Sequence, residues 1–271
     1  MTMPMAEPEP FEVYAIRYAT VARRGTENFI GGDPHETGTM DYFVWLARNA
    51  RHTVVIDTGF DEQAAKRRKR DYLRSPAEGL RLLGVDCAQV QDVIITHLHY
   101  DHGGNLNLFP RARFHLQDRE MAYATGRYMG LEFFRYAYEE NDVVGAVRLV
   151  YGGRVVFHDG EGEVVPGMTV HRIGGHTRGL QAVRVWTRVG WLVLASDAAH
   201  YSANMLESRS FPVVADVTEM ADGWRKLRTL ADSPEHIVPG HDPIVMRQYR
   251  APRSELEGIA VRLDDRPQTV S

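Results

Sequence analysis

Residues 97–102, "HLHYDH", put three imidazoles and a carboxylate into one short stretch, straight after the apolar run "VIIT" of residues 93–96. That juxtaposition restricts the fold more than any other feature of the chain. A short β-rich run of this kind reads as a strand buried between helices. Side chains on a strand alternate between faces, so His97 and His99 share a face if the strand continues through them. A loop running off its end then turns Asp101 and His102 into the same space. Imidazole and carboxylate suit zinc, and a catalytic zinc keeps one coordination position open for water.

Three further ligand-type residues stand at predicted strand edges. "GGHTRG" places His176 in a glycine-flanked turn, "LVLASDAAH" ends a very apolar strand at Asp197, and "HIVPGHD" puts His241 just beyond another. Loops at strand ends are where function concentrates. Six other histidines, His35, His52, His115, His158, His171 and His236, read as surface or hydrogen-bonded residues.

Around these motifs the pattern alternates strands with helices. "FEVYAIRYA" reads as a strand, and "DYFVWLAR" and "HTVVIDTG" as a hairpin. Residues 61–83 read as helix broken near Pro76, and residues 119–146 as largely helical and aromatic. "ARFHLQ", "GRVVFHDG", "GEVVPGMTVHRIGG", "QAVRVWTRVG" and "WLVLASDA" read as strands, residues 217–232 as helix, and the C-terminal segment as helical. Such an order implies sheets packed face to face between helices.

Composition removes several function classes. A net charge of −4 argues against a nucleic-acid binder, and 44% hydrophobic residues over 271 positions suit an ordinary globular chain. The run "KRRKR" (Lys66–Arg70) reads as a solvated helix face. Cys87 is the only cysteine, which excludes a disulfide framework and a cysteine-built zinc site. The opening "MTMPMAEPEPF" lacks the basic and apolar regions of a secretory signal, and no apolar run is long enough to span a bilayer. We therefore expect a cytoplasmic protein with no membrane or nucleic-acid partner: one domain over residues 1–271, with residues 1–10 a disordered or extended tail.

The order His-x-His-x-Asp-His, then His176, Asp197 and His241, together with "IDTG" at residues 56–59, resembles the metallo-β-lactamase superfamily. The resemblance runs from "FVWLAR" to "VPGHD" and implies an αββα sandwich, two mixed sheets flanked by helices, with metals at one edge. It implies two zinc ions per chain, with iron, manganese or cobalt as alternatives. His97, His99 and His176 would hold one metal, Asp101, His102 and His241 the other, and Asp197 would bridge them. Asp57 is expected to support the ligands rather than to be one.

Within the superfamily, Asp197 stands where cysteine-ligated β-lactamases carry their cysteine, which excludes them. The stretch "LLGVDCAQVQDVIITHLHYDHGGN" is most similar to N-acyl homoserine lactonases. Leu180 departs from that group, which usually has a second histidine there. His200, followed by Tyr201, stands where the lactonases often carry a tyrosine that helps bind the lactone carbonyl. The resemblance thus implies lactone opening by a metal-bridging hydroxide, with Asp101 as proton shuttle and His200 or Tyr201 as oxyanion donor. Tyr100 would face the cavity. The aromatic stretch of residues 127–140, with Phe133 and Phe134, is read as core plus a homodimer contact, or as a wall for an acyl tail. Rival readings are a glyoxalase II-type thioester hydrolase, kept alive by the basic "MRQYRAPR", a hydrolase of a small heterocyclic lactone or cyclic amide, and a non-catalytic binding module.

Overall fold

A computed structural model describes residues 8–269. Of the expected N-terminal tail, residues 1–7 lie outside the described residues, and residues 8–10 carry no regular structure. Thirteen strands follow: β1 (Glu12–Arg24), β2 (Thr37–Arg48), β3 (Thr53–Ile56), β4 (Asp71–Tyr72), β5 (Asp92–Ile94), β6 (Arg113–Gln117), β7 (Val155–His158), β8 (Glu161–Val165), β9 (Met168–Arg172), β10 (Gln181–Thr187), β11 (Gly190–Ser196), β12 (Ile237–Pro239) and β13 (Ala260–Arg262). The first sheet has the order β13-β1-β2-β3-β5-β6-β7, with β4 also paired to β1. Its β1, β2, β3 and β13 pair antiparallel, whereas β3, β5, β6 and β7 run parallel. The second sheet, β12-β11-β10-β9-β8, is antiparallel except for its β11–β12 pair.

The period-two alternation of β1 explains the stacking. Val13 and Ala15 face one way with Trp45, Ile56 and Met168, Val183, Leu194 of the other sheet, forming the layer between the sheets. Tyr14 and Ile16 face the other way and pack with Leu46, Val55, Leu80 and Leu83 under the helices of residues 76–82 and neighbours. On the outer face of the second sheet, Val193 and Ala195 meet Met220, Trp224 and Leu227 of the helix Val217–Leu230. Three apolar layers between four of secondary structure make the αββα sandwich expected, and full burial of each large side chain contributes about 1.5–3 kcal/mol to it.

Three local expectations are corrected. Residues 61–83 form two helices, Glu62–Arg68 and Pro76–Leu82, because Lys69 takes a left-handed conformation (φ 54°) and ends the first. Pro76 opens the second helix at its N-terminus, where its missing N–H costs nothing. Residues 119–146 are divided among Asp118–Ala124, a 3₁₀ turn at Arg127–Gly130, Glu132–Arg135 and Glu140–Tyr151. Among the described residues near the C-terminus only Ile244–Gln248 is α-helical, and Ala260–Arg262 is an edge strand on β1. Among the described residues no helix is long and apolar enough to cross a membrane.

Candidate metal centre

All seven predicted ligands meet at one edge of the sandwich, in loops that leave strand ends. The parallel strands β3 and β5 deliver Asp57 and residues 95–102 side by side. His176 follows β9, Asp197 follows β11, and His241 follows β12, which runs parallel to β11. The strand does not continue through the histidines as expected. β5 stops at Ile94, and His99 caps a one-turn helix, Tyr100–Gly103, that carries Asp101 and His102 inward. His176 is placed by Gly174 and Gly175, at φ 74° and 82°, where a Cβ would strike Glu219 and Met220 of the long helix. The same helix fixes the loop after Asp197, since Trp224 Nε1 donates to the Ala198 carbonyl at 2.7 Å.

Asp197 lies between two groups of donors. Its Oδ2 is 3.2 Å from His176 Nε2 and 3.9 Å from His97 Nε2, while its Oδ1 is 3.2 Å from His102 Nε2 and 3.0 Å from His241 Nε2. Asp101 Oδ2 completes the second group at 3.7 Å from both His102 and His241. In each of the triplets His97–His99–His176 and Asp101–His102–His241, one donor atom per residue lies within 4.8 Å of the others. The tautomers are set from outside. His176 Nδ1 donates to the Val213 carbonyl (2.6 Å), His241 Nδ1 to the Asp41 carbonyl (2.8 Å) and His102 Nδ1 to Asp57 Oδ2 (2.7 Å), which leaves each Nε2 facing inward.

These residues fit divalent cations. His97 Nε2, His102 Nε2 and Asp197 Oδ1 are buried without a hydrogen bond of acceptable geometry, although orphaned buried polar atoms are rare. Two imidazole nitrogens, His99 Nδ1 and His176 Nε2, face each other at 2.9 Å. Burial, with the neighbouring imidazoles, drives the pKa of His97 and His99 well down, so both imidazoles are neutral and free to donate a lone pair. Burial works against the charge of Asp197 too, but His241, His102 and His200 outweigh it and hold the carboxyl well below its ordinary value. The same pairing raises His102 and His241 against the pull of burial.

A second ring of residues holds this cluster in place. Asp57, at φ 60°, accepts from Thr96 N (2.7 Å) and Thr96 Oγ1 (2.8 Å) as well as from His102. Thr96 Oγ1 also meets Ser196 Oγ at 2.9 Å, and Ser196, at φ 46°, is the residue before Asp197. Two strained non-glycine residues therefore brace the centre, as expected of Asp57. Asp57→Asn places an amide beside His102 and removes the charge-assisted bond. We expect metal affinity to fall about 10–100-fold with little change in fold, measured by competition with a chromophoric chelator and by circular dichroism.

Sequence reasoning missed Glu120. It is fully buried at the start of the helix Asp118–Ala124 and accepts from Leu98 N (2.9 Å), Gly179 N (3.2 Å), Thr177 Oγ1 (2.5 Å) and Tyr138 OH (3.0 Å). One carboxylate thus ties the loop of His97 and His99 to the loop of His176. Nothing in its local sequence marks it, because its partners are 18–59 residues away.

A small cavity of about 60 Å³ opens over the centre, walled by Tyr42, Arg70, Tyr100, Asp101, His200 and His241 among others. Tyr100 faces it as expected. Arg70 and Tyr42 were not foreseen, and the solvated-face reading of "KRRKR" fails for part of the run. Arg68 lies 3.9 Å above the Tyr100 ring and pairs with Glu139, while Arg70 Nε donates to Tyr100 OH. Burial raises Tyr42 to about 12, so its hydroxyl keeps its proton. His200 lines the cavity, lies flat on Phe211 with 3.5 Å between ring centroids, and puts Nε2 2.9 Å from Asp197 Oδ2. Burial lowers its pKa to about 3. Tyr201 is not in the cavity wall: its hydroxyl donates to Asn28 Oδ1 (3.1 Å) and the Thr39 carbonyl (3.2 Å).

An apolar groove of about 280 Å³ adjoins His99 and His176, lined by Phe133, Phe134, Tyr136, Val213 and Val214. Phe133 and Tyr136 are 71% and 61% exposed, whereas Phe134 packs on the core and on Tyr128. A larger hollow of about 750 Å³, between Arg119, Arg127, Arg178 and Asp216, Glu219, Asp222, shares only Tyr123 with the groove. Its walls mix both charges and carry no ligand cluster.

Two mixed sheets between helices, with a His/Asp cluster at one edge, define a metallo-hydrolase scaffold. Residues 37–241 match the metallo-beta-lactamase superfamily, and the chain belongs to that family. It is 31% identical over 174 residues to "N-acyl homoserine lactonase AttM" of Azorhizobium caulinodans, covering 60% of this chain and 62% of that protein. It is 29% identical over 180 residues to the protein of the same name from Agrobacterium fabrum, covering 63% and 65% respectively. The chain thus matches under two thirds of the length of these relatives. In structure it superposes on a "Quorum-Quenching N-Acyl Homoserine Lactone Lactonase" with a TM-score of 0.76, 19% identity, and 93% and 98% of the two chains covered.

Proposed function

We propose that this chain is a dinuclear metal hydrolase that opens lactone rings, with N-acyl homoserine lactones as the substrate class its site fits best. The observation that carries this reading is Asp197, whose two oxygens face two different donor triplets. A carboxylate so placed is suited to span two cations. His97, His99 and His176 would hold one, Asp101, His102 and His241 the other, and zinc is the metal these imidazole and carboxylate donors suit. A pair of such ions supplies a nucleophile from water at neutral pH and polarises the carbonyl under attack.

The chain's own residues do the rest. The groove beside His99 and His176 excludes water from an acyl tail, since Phe134, Val213 and Val214 present apolar surface continuous with the centre. Asp101, 10% exposed at its side chain, lies between His102, His241 and the cavity and is placed to carry a proton from the attacking water to the departing oxygen. The curated relatives carry lactonase names, which supports the same substrate class. The basic "MRQYRAPR" gives the thioester alternative no support, because Arg247, Arg250 and Arg253 do not line the cavity or the groove.

The test compares proton release from N-octanoyl and N-butanoyl homoserine lactones with hydrolysis of S-lactoylglutathione. Faster opening of the octanoyl lactone supports the reading, and faster thioester cleavage overturns it. Phe134→Ala should cut the preference for the longer chain by roughly 10-fold, because the discrimination rests on apolar contact. If the substitution instead lowers the oligomeric mass by light scattering and leaves the preference intact, the segment is a contact between copies.

A further inference from the structure

The lactonase pattern leaves one contact unfilled here, because no tyrosine follows Asp197 by three residues. His200 has its Nε2 engaged by Asp197, and the Tyr201 hydroxyl is committed to Asn28 and Thr39. A different donor relay faces the cavity. Arg70 Nε donates to Tyr100 OH at 3.0 Å, and Tyr100 OH donates to Tyr42 OH at 3.3 Å. Tyr42 is 1% exposed, yet among the described residues its own hydroxyl proton has no acceptor. A buried tyrosine hydroxyl normally finds one.

Arg70 supplies the positive charge behind this relay. Its NH1 donates to the Arg68 carbonyl at 2.8 Å, and it forms no ion pair among the described residues, although Arg17, Arg48, Arg68 and Arg172 each face a carboxylate. A half-buried guanidinium beside Tyr100, with the Arg68 guanidinium over the same ring, makes the phenol a stronger donor to the next oxygen in line. The relay therefore ends on Tyr42 with a polarised O–H. The Tyr42 ring meets the His241 ring edge to face at 5.2 Å between centroids, which places it on the Asp101–His102–His241 side of the centre.

Resting on the lactonase reading, we propose that Tyr42 is a catalytic residue that hydrogen-bonds the ring oxygen as it leaves, and that Tyr100 and Arg70 position and polarise it. In that step the oxygen of the attacking hydroxide bonds to the carbonyl carbon, and the ring C–O bond breaks with its electron pair passing to the ring oxygen. That oxygen takes up one proton of the original water, and the other is released from the new carboxylic acid. Tyr42 keeps its own proton throughout. Its contribution grows with the charge developing on the leaving oxygen, so it depends on how poor the leaving group is.

The experiment compares Tyr42→Phe with the zinc-loaded wild type on an aliphatic lactone, δ-valerolactone, and a phenolic one, 3,4-dihydrocoumarin. We expect kcat on the aliphatic ring to fall about 100-fold with KM little changed, the scale of one lost oxyanion donor. On the phenolic ring, whose leaving oxygen needs no such help, the fall should stay under about 3-fold. Tyr100→Phe and Arg70→Met should shift the ratio in the same direction by less, and Arg70→Lys should recover part of it. Metal content by atomic emission should match wild type in every variant. Equal losses on the two rings, or loss of metal in Tyr42→Phe, would overturn the assignment while leaving lactone opening in place. A wild type that opens neither ring nor N-octanoyl homoserine lactone overturns the lactonase reading, and this assignment falls with it.

Discussion

Asp197→Ala should abolish lactone opening, lowering kcat/KM by at least about 1,000-fold, the scale of losing a principal electrostatic element of a hydrolytic site. Its two oxygens lie within 3.2 Å of His176, His102 and His241, so no neighbour can replace it in both groups. Removing the carboxylate leaves the inward-facing Nε2 atoms of His102 and His241 with Asp101 as their one nearby carboxylate. The bound metal should therefore fall by one ion or more per chain, read by atomic emission after gel filtration. Asp197→Asn keeps the volume and one acceptor oxygen, and should lose less metal than the alanine variant but nearly as much activity. A variant with full metal content and near-normal turnover would show that Asp197 does not join the two groups.

The second large effect is on the fold around the centre. Glu120→Ala strands two backbone N–H groups and two hydroxyls that now share one buried carboxylate. Leaving several buried donors unmatched costs roughly 3–5 kcal/mol, and at about 2–4 °C per kcal/mol for a chain of this size Tm should drop by about 10 °C. Burial raises the Glu120 pKa, while the four donors oppose the rise. Glu120→Gln keeps acceptor oxygen and volume and should fall between the alanine variant and wild type. If both variants melt within about 1 °C of wild type in differential scanning calorimetry, the two loops do not depend on this link.

The seven-residue His/Asp cluster was legible in the sequence because each member sits beside a local landmark. A buried strand precedes residues 96–102, two glycines precede His176, and apolar strands precede Asp197 and His241. Sheets packed between helices were legible in the order of the elements, but the particular αββα sandwich came from the family resemblance, since β1 and β2 bury both faces and give no polar side to orient them. Register across the sheets also escaped, as did the three-residue strand β13, which exists only by pairing with β1. The cavity wall was hidden for a different reason. Tyr42 and Tyr100 are 58 positions apart, and Arg70 and Tyr100 are 30. Arg70 reaches the cavity only because the helix before it ends at the left-handed Lys69. Such contacts are made by tertiary packing and leave no periodic trace. Tyr201 shows the converse: next to His200 in the chain, it is drawn away by hydrogen bonds to β2 and to Asn28.

The most direct test of the central claim is kcat/KM for opening N-octanoyl homoserine lactone, measured on the same preparation stripped of metal and then reloaded with zinc. The account predicts negligible turnover without metal and, on reloading, recovery to about 10⁴ M⁻¹s⁻¹ or more, an ordinary enzymatic value. Recovery should saturate near two zinc ions per chain. Full zinc binding without ring opening would contradict the lactonase assignment, and ring opening that survives complete metal removal would contradict the metal centre itself.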